Sequence, residues 1–157
     1  MELNKIINAD CLDVMRQMPD KSVDLVLTDP PYGIGSRFKS KFGMQIEKKK
    51  WEDFSWNDKI PPKEVFDEIM RVSKNQIIFG GNYFTQYLKP TNAWLVWDKI
   101  GQYDLKNPFS DCELAWTSFS CTVKKYTFVN MGFIAGKEEK GKRIHPVSYT
   151  HLTLPTT

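Results

Sequence analysis

One short stretch of this 157-residue chain brings together groups that could do chemistry on a planar ligand. It is TDPPYGIG, which spans residues 28–35. Asp29 and Pro30 each precede a proline, and a residue in that position is restricted to extended geometry. The Asp29 carboxylate and the Pro30 carbonyl are therefore predicted to form a nearly rigid pair of hydrogen-bond acceptors, with the ring of Tyr32 beside them. Such a pair beside an aromatic face suits an amine-bearing ring such as a nucleobase.

The two prolines also have a simpler interpretation. Proline lacks a backbone N–H and has a fixed φ, so Pro30 and Pro31 would end the apolar run VDLVL in any context. The two interpretations are compatible, because the carboxyl ends of strands are where ligands bind in open α/β sheets. The motif is thus a candidate site at the end of a strand.

The segments around this motif predict alternating strands and helices. NKIINAD, residues 4–10, is predicted to be a short strand, and Asp10 can cap a helix that begins near Cys11. The nearly continuous apolar run over residues 23–28 is typical of a strand that is buried on both faces. These features favour the α/β class, with a mostly parallel sheet and flanking helices.

The middle of the chain continues the same alternation. PPKEVFDEIMRVSK, residues 61–74, predicts a helix whose apolar face contains Val65, Phe66, Ile69 and Val72. QIIFGGNYF, residues 76–84, predicts a buried strand, a glycine turn and a helix that begins near Asn82. AWLVWDK and CELAWTSF predict two more strands, which would place three tryptophans in the core: Trp94, Trp97 and Trp116.

Composition is that of a globular protein with one domain. The chain is 41% hydrophobic and 26% charged, and its formal net charge is +3. No apolar run approaches membrane-spanning length, so a cytoplasmic location is expected. The three cysteines have no close pairs and there are only two histidines, so no metal site is expected.

A basic segment follows the motif. Residues 35–50 contain six basic side chains and one acidic side chain, Glu47. They could neutralise the phosphates of a nucleic acid, or they could belong to a solvated lysine-rich loop. The candidate DNA-binding residues are Arg37, Lys39, Lys41, Lys48, Lys49 and Lys50.

The end of the chain differs in composition from the rest. After the charged stretch GKEEKGKR, the segment PVSYTHLTLPTT has no aspartate, glutamate, lysine or arginine. It resembles the translation of a sequencing-library adapter. Residues 1–146 are therefore expected to be the native part of the chain, and residues 147–157 a non-native tail.

With these segments in place, the sequence resembles a family: DNA adenine-N6 methyltransferases that use S-adenosylmethionine, of the permuted type found in phages and restriction systems. TDPPY carries the match, and INADCLDVM resembles the segment that precedes this motif in the family. IIFGGNYF, WLVWDK and DCELAWTSF resemble its later sheet segments, and RIHP resembles the start of its HPTQKP element. The glycine-rich cofactor turn that follows that element in the family has no counterpart here. The resemblance thus implies a partial Rossmann-like methyltransferase fold that lacks part of its cofactor pocket.

The resemblance also implies a role for each matched residue. Asp29 and the Pro30 carbonyl would accept hydrogen bonds from the target amine, Tyr32 would stack on the base, and Pro31 completes the motif. Asp10, with Cys11 beside it, would contact S-adenosylmethionine together with Asp29. The base would be flipped out of the DNA duplex.

Three alternatives remain open on the sequence alone. The target could be the N4 amine of cytosine, although the acid at position 29 favours adenine. The chain could be a nucleic-acid-binding domain without catalysis, or a protein or RNA methyltransferase related to those with an NPPY motif. In all methyltransferase readings, the truncated chain is expected to expose apolar sheet edges, to bind cofactor weakly or not at all, and to be inactive or weakly active.

Overall fold

The structure is a computed structural model that describes residues 4–34, 57–103 and 110–129. Within these ranges the helices are α1 (Cys11–Arg16) and α2 (Lys63–Val72), and a 3-10 helix covers Gly81–Tyr83. The strands are β1 (Val23–Thr28), β2 (Ser73–Phe79), β3 (Leu95–Asp98), β4 (Cys112–Thr117) and β5 (Lys124–Thr127). The predicted tail, residues 147–157, lies outside the described residues.

The five strands form one sheet in the order β1-β2-β4-β3-β5. β1 and β2 are parallel, with Val23 opposite Ser73, and the connection between them contains α2. Parallel neighbours need such a crossover. β4 runs antiparallel to β2, with Phe79 opposite Ala115. The α/β class is confirmed, but the sheet is mixed, because β4 enters between β2 and β3 in the opposite direction to β2.

The chain divides into two compact units, and the apolar core lies in the first, Met1–Leu95 with Leu114–Lys124. The aromatic rings of this core are close: the Phe66 centroid lies 5.0 Å from that of Phe84 and 5.3 Å from that of Tyr87. The predicted apolar face of α2 is confirmed, since its buried residues are Phe66, Ile69 and Val72. The core cluster consists of Phe66, Ile69, Ile78, Phe84, Leu88 and Trp116. The other two tryptophans predicted to lie in the core are only half-buried: Trp94 and Trp97.

Two predicted elements differ from the structure. Residues 4–10 are exposed and form no strand, because no described strand lies beside them to complete their backbone hydrogen bonds. The helix predicted near Asn82 is only the single 3-10 turn of Gly81–Tyr83.

β1 is not buried on both faces, as its sequence predicted. It stands at one end of the strand order, and Leu25 and Leu27 are 38% and 50% exposed. A strand that reads as central in the sequence thus forms an apolar edge of the described sheet. Such an edge favours association with other chains.

Arg71 at the end of α2 holds the end of α1 in place. Its guanidinium donates hydrogen bonds to the Met15 carbonyl at 2.7 Å and to the Met18 carbonyl at 2.8 Å. It also forms ion pairs with Asp20 and Glu68. The hydrogen bond that Arg71 donates to Glu68 holds the pKa of Glu68 below its ordinary value. The chain that leads into β1 is therefore fixed to the crossover helix.

The second unit, Val96–Glu113 with Lys125–Thr157, has a polar centre at Asp98. The Asp98 carboxylate accepts the Gly101 N–H at 2.7 Å and pairs with Lys125 at 2.8 Å. The hydrogen bond from Lys125, followed by that from Gly101, lowers the pKa of Asp98 to about 2. An open groove of about 510 Å³ is lined by residues of this unit: Asp98, Gly101, Gln102, Tyr103, Lys125, Thr127 and Val129.

Neither helix of the described residues is long and apolar enough to cross a lipid bilayer.

Replacing Phe66 by alanine tests whether the aromatic cluster under α2 is the core of the first unit. Because Phe66 is only 1% exposed, Phe66→Ala is expected to lower the free energy of unfolding by about 3–5 kcal/mol. Urea unfolding followed by circular dichroism measures this. The matched control is Phe119→Ala, since Phe119 is 39% exposed and its loss should cost less than about 0.5 kcal/mol. Equal losses for the two variants would contradict this assignment of the core.

Candidate functional site

The motif TDPPY lies where the sequence predicted it, at the carboxyl end of a strand. Asp29 follows Thr28, the last residue of β1, and is exposed. Pro30 is buried, while Pro31 and Tyr32 are half-buried. The first proline is therefore fixed in the protein, and the carboxylate before it faces solvent. This arrangement keeps the acid accessible to a ligand.

Tyr32 is held by hydrogen bonds from its side chain and its backbone. Its hydroxyl donates to Oδ1 of Asp29 at 2.5 Å, and its backbone N–H donates to Oδ1 of Asn57 at 2.8 Å. The first bond sets the orientation of the carboxylate relative to the ring. Asn57 was missed by sequence reasoning, since it follows a long stretch without periodicity and no local pattern connects it to Tyr32.

A second aromatic ring stacks on Tyr32. The rings of Tyr32 and Tyr83 have centroids 4.8 Å apart and planes 13° apart, and the Phe84 ring lies 6.1 Å away at 60°. Tyr83 is the last residue of the 3-10 helix that follows β2. The sequence marked this place as a glycine turn, but not as a contact of Tyr32.

Gly80 makes the close approach to Tyr32 possible. Its φ is +66°, in the left-handed region that favours glycine. A Cβ atom at this position would lie 2.1 Å from Cε1 of Tyr32 and 2.6 Å from both Cδ1 and Cζ. The distances to Cδ1 and Cζ are too short for an approach in the plane of the ring, which would make them longer, so Gly80 packs against the face of the ring rather than its edge.

The rest of this turn is fixed against β4. The Gly80 N–H donates to the Leu114 carbonyl at 2.8 Å. A Cβ atom on Gly81 would lie only 2.5 Å from Cβ of Trp116. The backbone that carries Tyr83 therefore has a defined position next to the end of β1.

This arrangement can bind a flat ligand that carries hydrogen-bond donors. An ionised carboxylate only accepts hydrogen bonds and has about four lone-pair sites. Because the Tyr32 hydroxyl uses one Asp29 oxygen, sites remain on that carboxylate for the N–H groups of a ligand. The ring of Tyr32 lies beside this carboxylate and is stacked on Tyr83 in this structure.

Two of the residues predicted to contact S-adenosylmethionine, Asp10 and Cys11, lie at the exposed start of α1. Oδ1 of Asp10 accepts the Leu12 N–H at 2.8 Å, so Asp10 acts as the predicted N-cap of α1. Asp10, Cys11 and residues 4–9 before them are exposed. A bound cofactor is usually buried over about 70–90% of its surface. These residues offer acceptor atoms but no enclosing wall, and so do not by themselves fit the cofactor.

The candidate DNA-binding residues lie outside the described residues: Arg37, Lys39, Lys41, Lys48, Lys49 and Lys50. In the part of the chain that the structure describes, no three histidine, cysteine or acidic side chains lie close enough to hold a metal ion.

Comparison with known proteins finds methyltransferases. The chain is 29% identical over 133 residues to the type II methyltransferase M1.MboII of Moraxella bovis. This match covers 82% of this chain and 50% of that protein. It is 46% identical over 50 residues to M.BglII of Bacillus subtilis, covering 32% of this chain and 14% of the relative. It is 28% identical over 100 residues to M.BamHI of Bacillus amyloliquefaciens, and this match covers 60% of this chain and 20% of the relative.

These relatives are all described as type II methyltransferases, and the chain matches half of their length or less. No protein-family model matches the sequence.

Replacing Gly80 by alanine tests the close approach to Tyr32. Gly80→Ala is expected to lower the free energy of unfolding by about 2–5 kcal/mol, because it combines left-handed strain with a collision against the ring. Gly101→Ala is the matched control: its φ is also positive, at +62°, but its Cβ would approach side-chain carbons no closer than 3.2 Å. That control should lose only about 1–2 kcal/mol, which is the cost of the backbone conformation.

Thermal unfolding and the NMR signals of the Tyr32 ring measure the two effects. Gly80→Ala should shift the Tyr32 signals, and Gly101→Ala should leave them in place. An unchanged Tyr32 ring in Gly80→Ala would show that the turn does not position it.

Proposed function

We propose that this chain is part of a DNA methyltransferase that acts on the N6 amine of adenine. The observation that carries this proposal is the exposed Asp29 carboxylate at the end of β1, hydrogen-bonded to the hydroxyl of Tyr32. The similarity to type II methyltransferases supports the reaction class. The choice of adenine rests on the acid in the motif.

The proposed role of Asp29 follows from the weakness of the nucleophile. The lone pair of an exocyclic amine is delocalised into the aromatic ring, so the amine must become more tetrahedral before it can attack. Acceptors for its two N–H groups favour this change. Asp29 would accept one of these hydrogen bonds and the Pro30 carbonyl the other. Because both follow β1 directly, they are oriented before the base arrives, which is the electrostatic mode of catalysis.

Tyr32 would bind the base through its ring. Stacking of a base on an aromatic side chain contributes about 1–3 kcal/mol and offsets part of the cost of extruding the base from the duplex. The hydrogen bonds to Asn57 and Asp29 keep this ring in one position, so little side-chain entropy would be lost on binding. The six basic residues between positions 37 and 50 are proposed to contact the DNA phosphates.

The proposed methyl donor is S-adenosylmethionine, which supplies an activated methyl group when bound. Asp10 and Cys11 are proposed to contact it together with Asp29. Asp10 can do so while it caps α1, because its cap hydrogen bond uses only one carboxylate oxygen.

Asparagine at position 29 tests the catalytic proposal. The chain is incubated with millimolar S-adenosylmethionine and genomic DNA from a strain without DNA methylation, which contains every short recognition sequence. Mass spectrometry of the digested nucleosides is expected to find N6-methyladenine, formed slowly. Asp29→Asn should reduce the yield by about 100-fold or more, as the loss of a preorganised catalytic hydrogen-bonding group does.

The matched control is Asp24→Asn on the same strand. The Asp24 side chain is 89% exposed and pairs with Lys74, so its loss should leave the yield unchanged. Product on cytosine alone would replace adenine by the cytosine N4 alternative. The non-catalytic DNA-binding alternative would be favoured if a chain extended to the length of its relatives also binds DNA but methylates neither base.

A separate prediction concerns cofactor affinity. Since Asp10 and Cys11 are exposed, calorimetry is expected to show no binding of S-adenosylmethionine to this chain tighter than about 0.1 mM. Tight binding at one cofactor per chain would contradict this expectation. It would mean that residues outside the described ranges complete the pocket.

A further inference from the structure

We propose that Tyr83 belongs to the base-binding site, where it covers the stacking surface of Tyr32 until a base displaces it. This inference rests on the proposed function, because it takes Tyr32 as the ring on which the base stacks. It adds a residue outside the TDPPY motif, contributed by the turn that follows the neighbouring strand β2.

The spacing of the two rings requires one of them to move. Their centroids are 4.8 Å apart and their planes differ by 13°. A flat base between them would need about 7 Å, since each of its two faces requires a contact of about 3.5 Å. The stacked pair therefore represents a state in which Tyr83 takes the place of a base on Tyr32.

Tyr32 is the fixed member of the pair. Its hydroxyl is bound to Asp29, its backbone N–H is bound to Asn57, and Gly80 packs against its ring. Moving Tyr32 would break these contacts and would also disturb the carboxylate that is proposed to bind the amine.

Tyr83 is the member that can move. It is 41% exposed, whereas the next residue, Phe84, is fully buried in the core. The turn before it cannot shift easily, because Gly81 packs directly against Trp116. The motion open to Tyr83 is thus a rotation about its own side-chain bonds, which exposed side chains make in picoseconds to nanoseconds.

The exchange of one ring for the other is energetically reasonable. Stacking of a base on an aromatic ring is of the same order as stacking of two aromatic side chains, or stronger. A base that also gains hydrogen bonds to Asp29 would therefore displace Tyr83, whereas a flat ligand without an amine would have a smaller advantage.

Adenosine binding to the 157-residue chain tests this proposal without the need for cofactor or a recognition sequence. Adenosine is titrated into chain with isotope-labelled tyrosine, and NMR follows the ring signals of Tyr32 and Tyr83. The variants are Tyr83→Ala, which removes the competing ring, and Tyr83→Phe, which keeps it. Tyr103→Ala is the matched control, since Tyr103 is 43% exposed and lies in the second unit.

In the unmodified chain, adenosine is expected to shift the Tyr83 signals away from their stacked positions. Tyr83→Ala should bind adenosine about two- to tenfold more tightly, the range that the strength of one aromatic pair allows. Tyr83→Phe and Tyr103→Ala should stay within about twofold of the unmodified chain. Asp29→Ala should abolish binding, both alone and combined with Tyr83→Ala.

The contrary outcomes separate the two proposals. If binding depends on Asp29 but Tyr83→Ala binds no more tightly, Tyr83 only packs on Tyr32; this inference fails and the proposed function stands. If adenosine binding is absent or independent of Asp29 in every variant, the proposed base site fails, and the role of Tyr83 with it. If Tyr83→Ala does not fold, the titration of the unmodified chain decides the question. The inference fails if adenosine shifts the NMR signals of Tyr32 but leaves those of Tyr83 unchanged.

Discussion

The contact between Gly80 and the face of Tyr32 is the constraint on which the candidate site depends. Gly80 follows β2 and Tyr32 follows β1, and the two strands are parallel neighbours, so their carboxyl ends lie at the same edge of the sheet. Any side chain at position 80 would occupy the space of the ring. The ring in turn binds Asp29 through its hydroxyl. The position of the acid is therefore set by a glycine 51 residues further along the chain.

The crossover between these strands keeps their ends in register. α2 packs Phe66 and Ile69 into the core, where Phe66 meets the ring of Phe84. Phe84 directly follows Tyr83, so the same core fixes the turn that faces Tyr32. At the other end of α2, Arg71 holds the carbonyls of the segment that leads into β1. One helix thus connects the start of β1 to the residues that follow β2.

Local patterns in the sequence predicted the parts of this arrangement that are local. Three predictions depend on residues only a few positions apart: the cap at Asp10, the apolar face of α2 and the end of β1 at the prolines. The structure confirms all three predictions. The hydrogen bond from Tyr32 to Asn57 and the stack on Tyr83 join distant residues, and no local pattern records them. The sequence pattern also did not predict the exposure of β1. An apolar strand has the same sequence pattern whether its second face is covered or open, because burial of that face depends on the helices that pack against it.

The two tasks of the proposed reaction place different demands on the fold. Orienting an amine needs a few acceptors and a ring, and two neighbouring strand ends joined by one helix can supply them. Enclosing a cofactor needs walls from several elements, because most of the ligand surface must be removed from water. The described residues meet the first demand at Asp29 and Tyr32, but around Asp10 they provide only exposed groups. The positions of Asp29 and Tyr32 are therefore set by the β1–α2–β2 unit together with β4, because Leu114 and Trp116 of β4 fix the turn that packs on the Tyr32 ring.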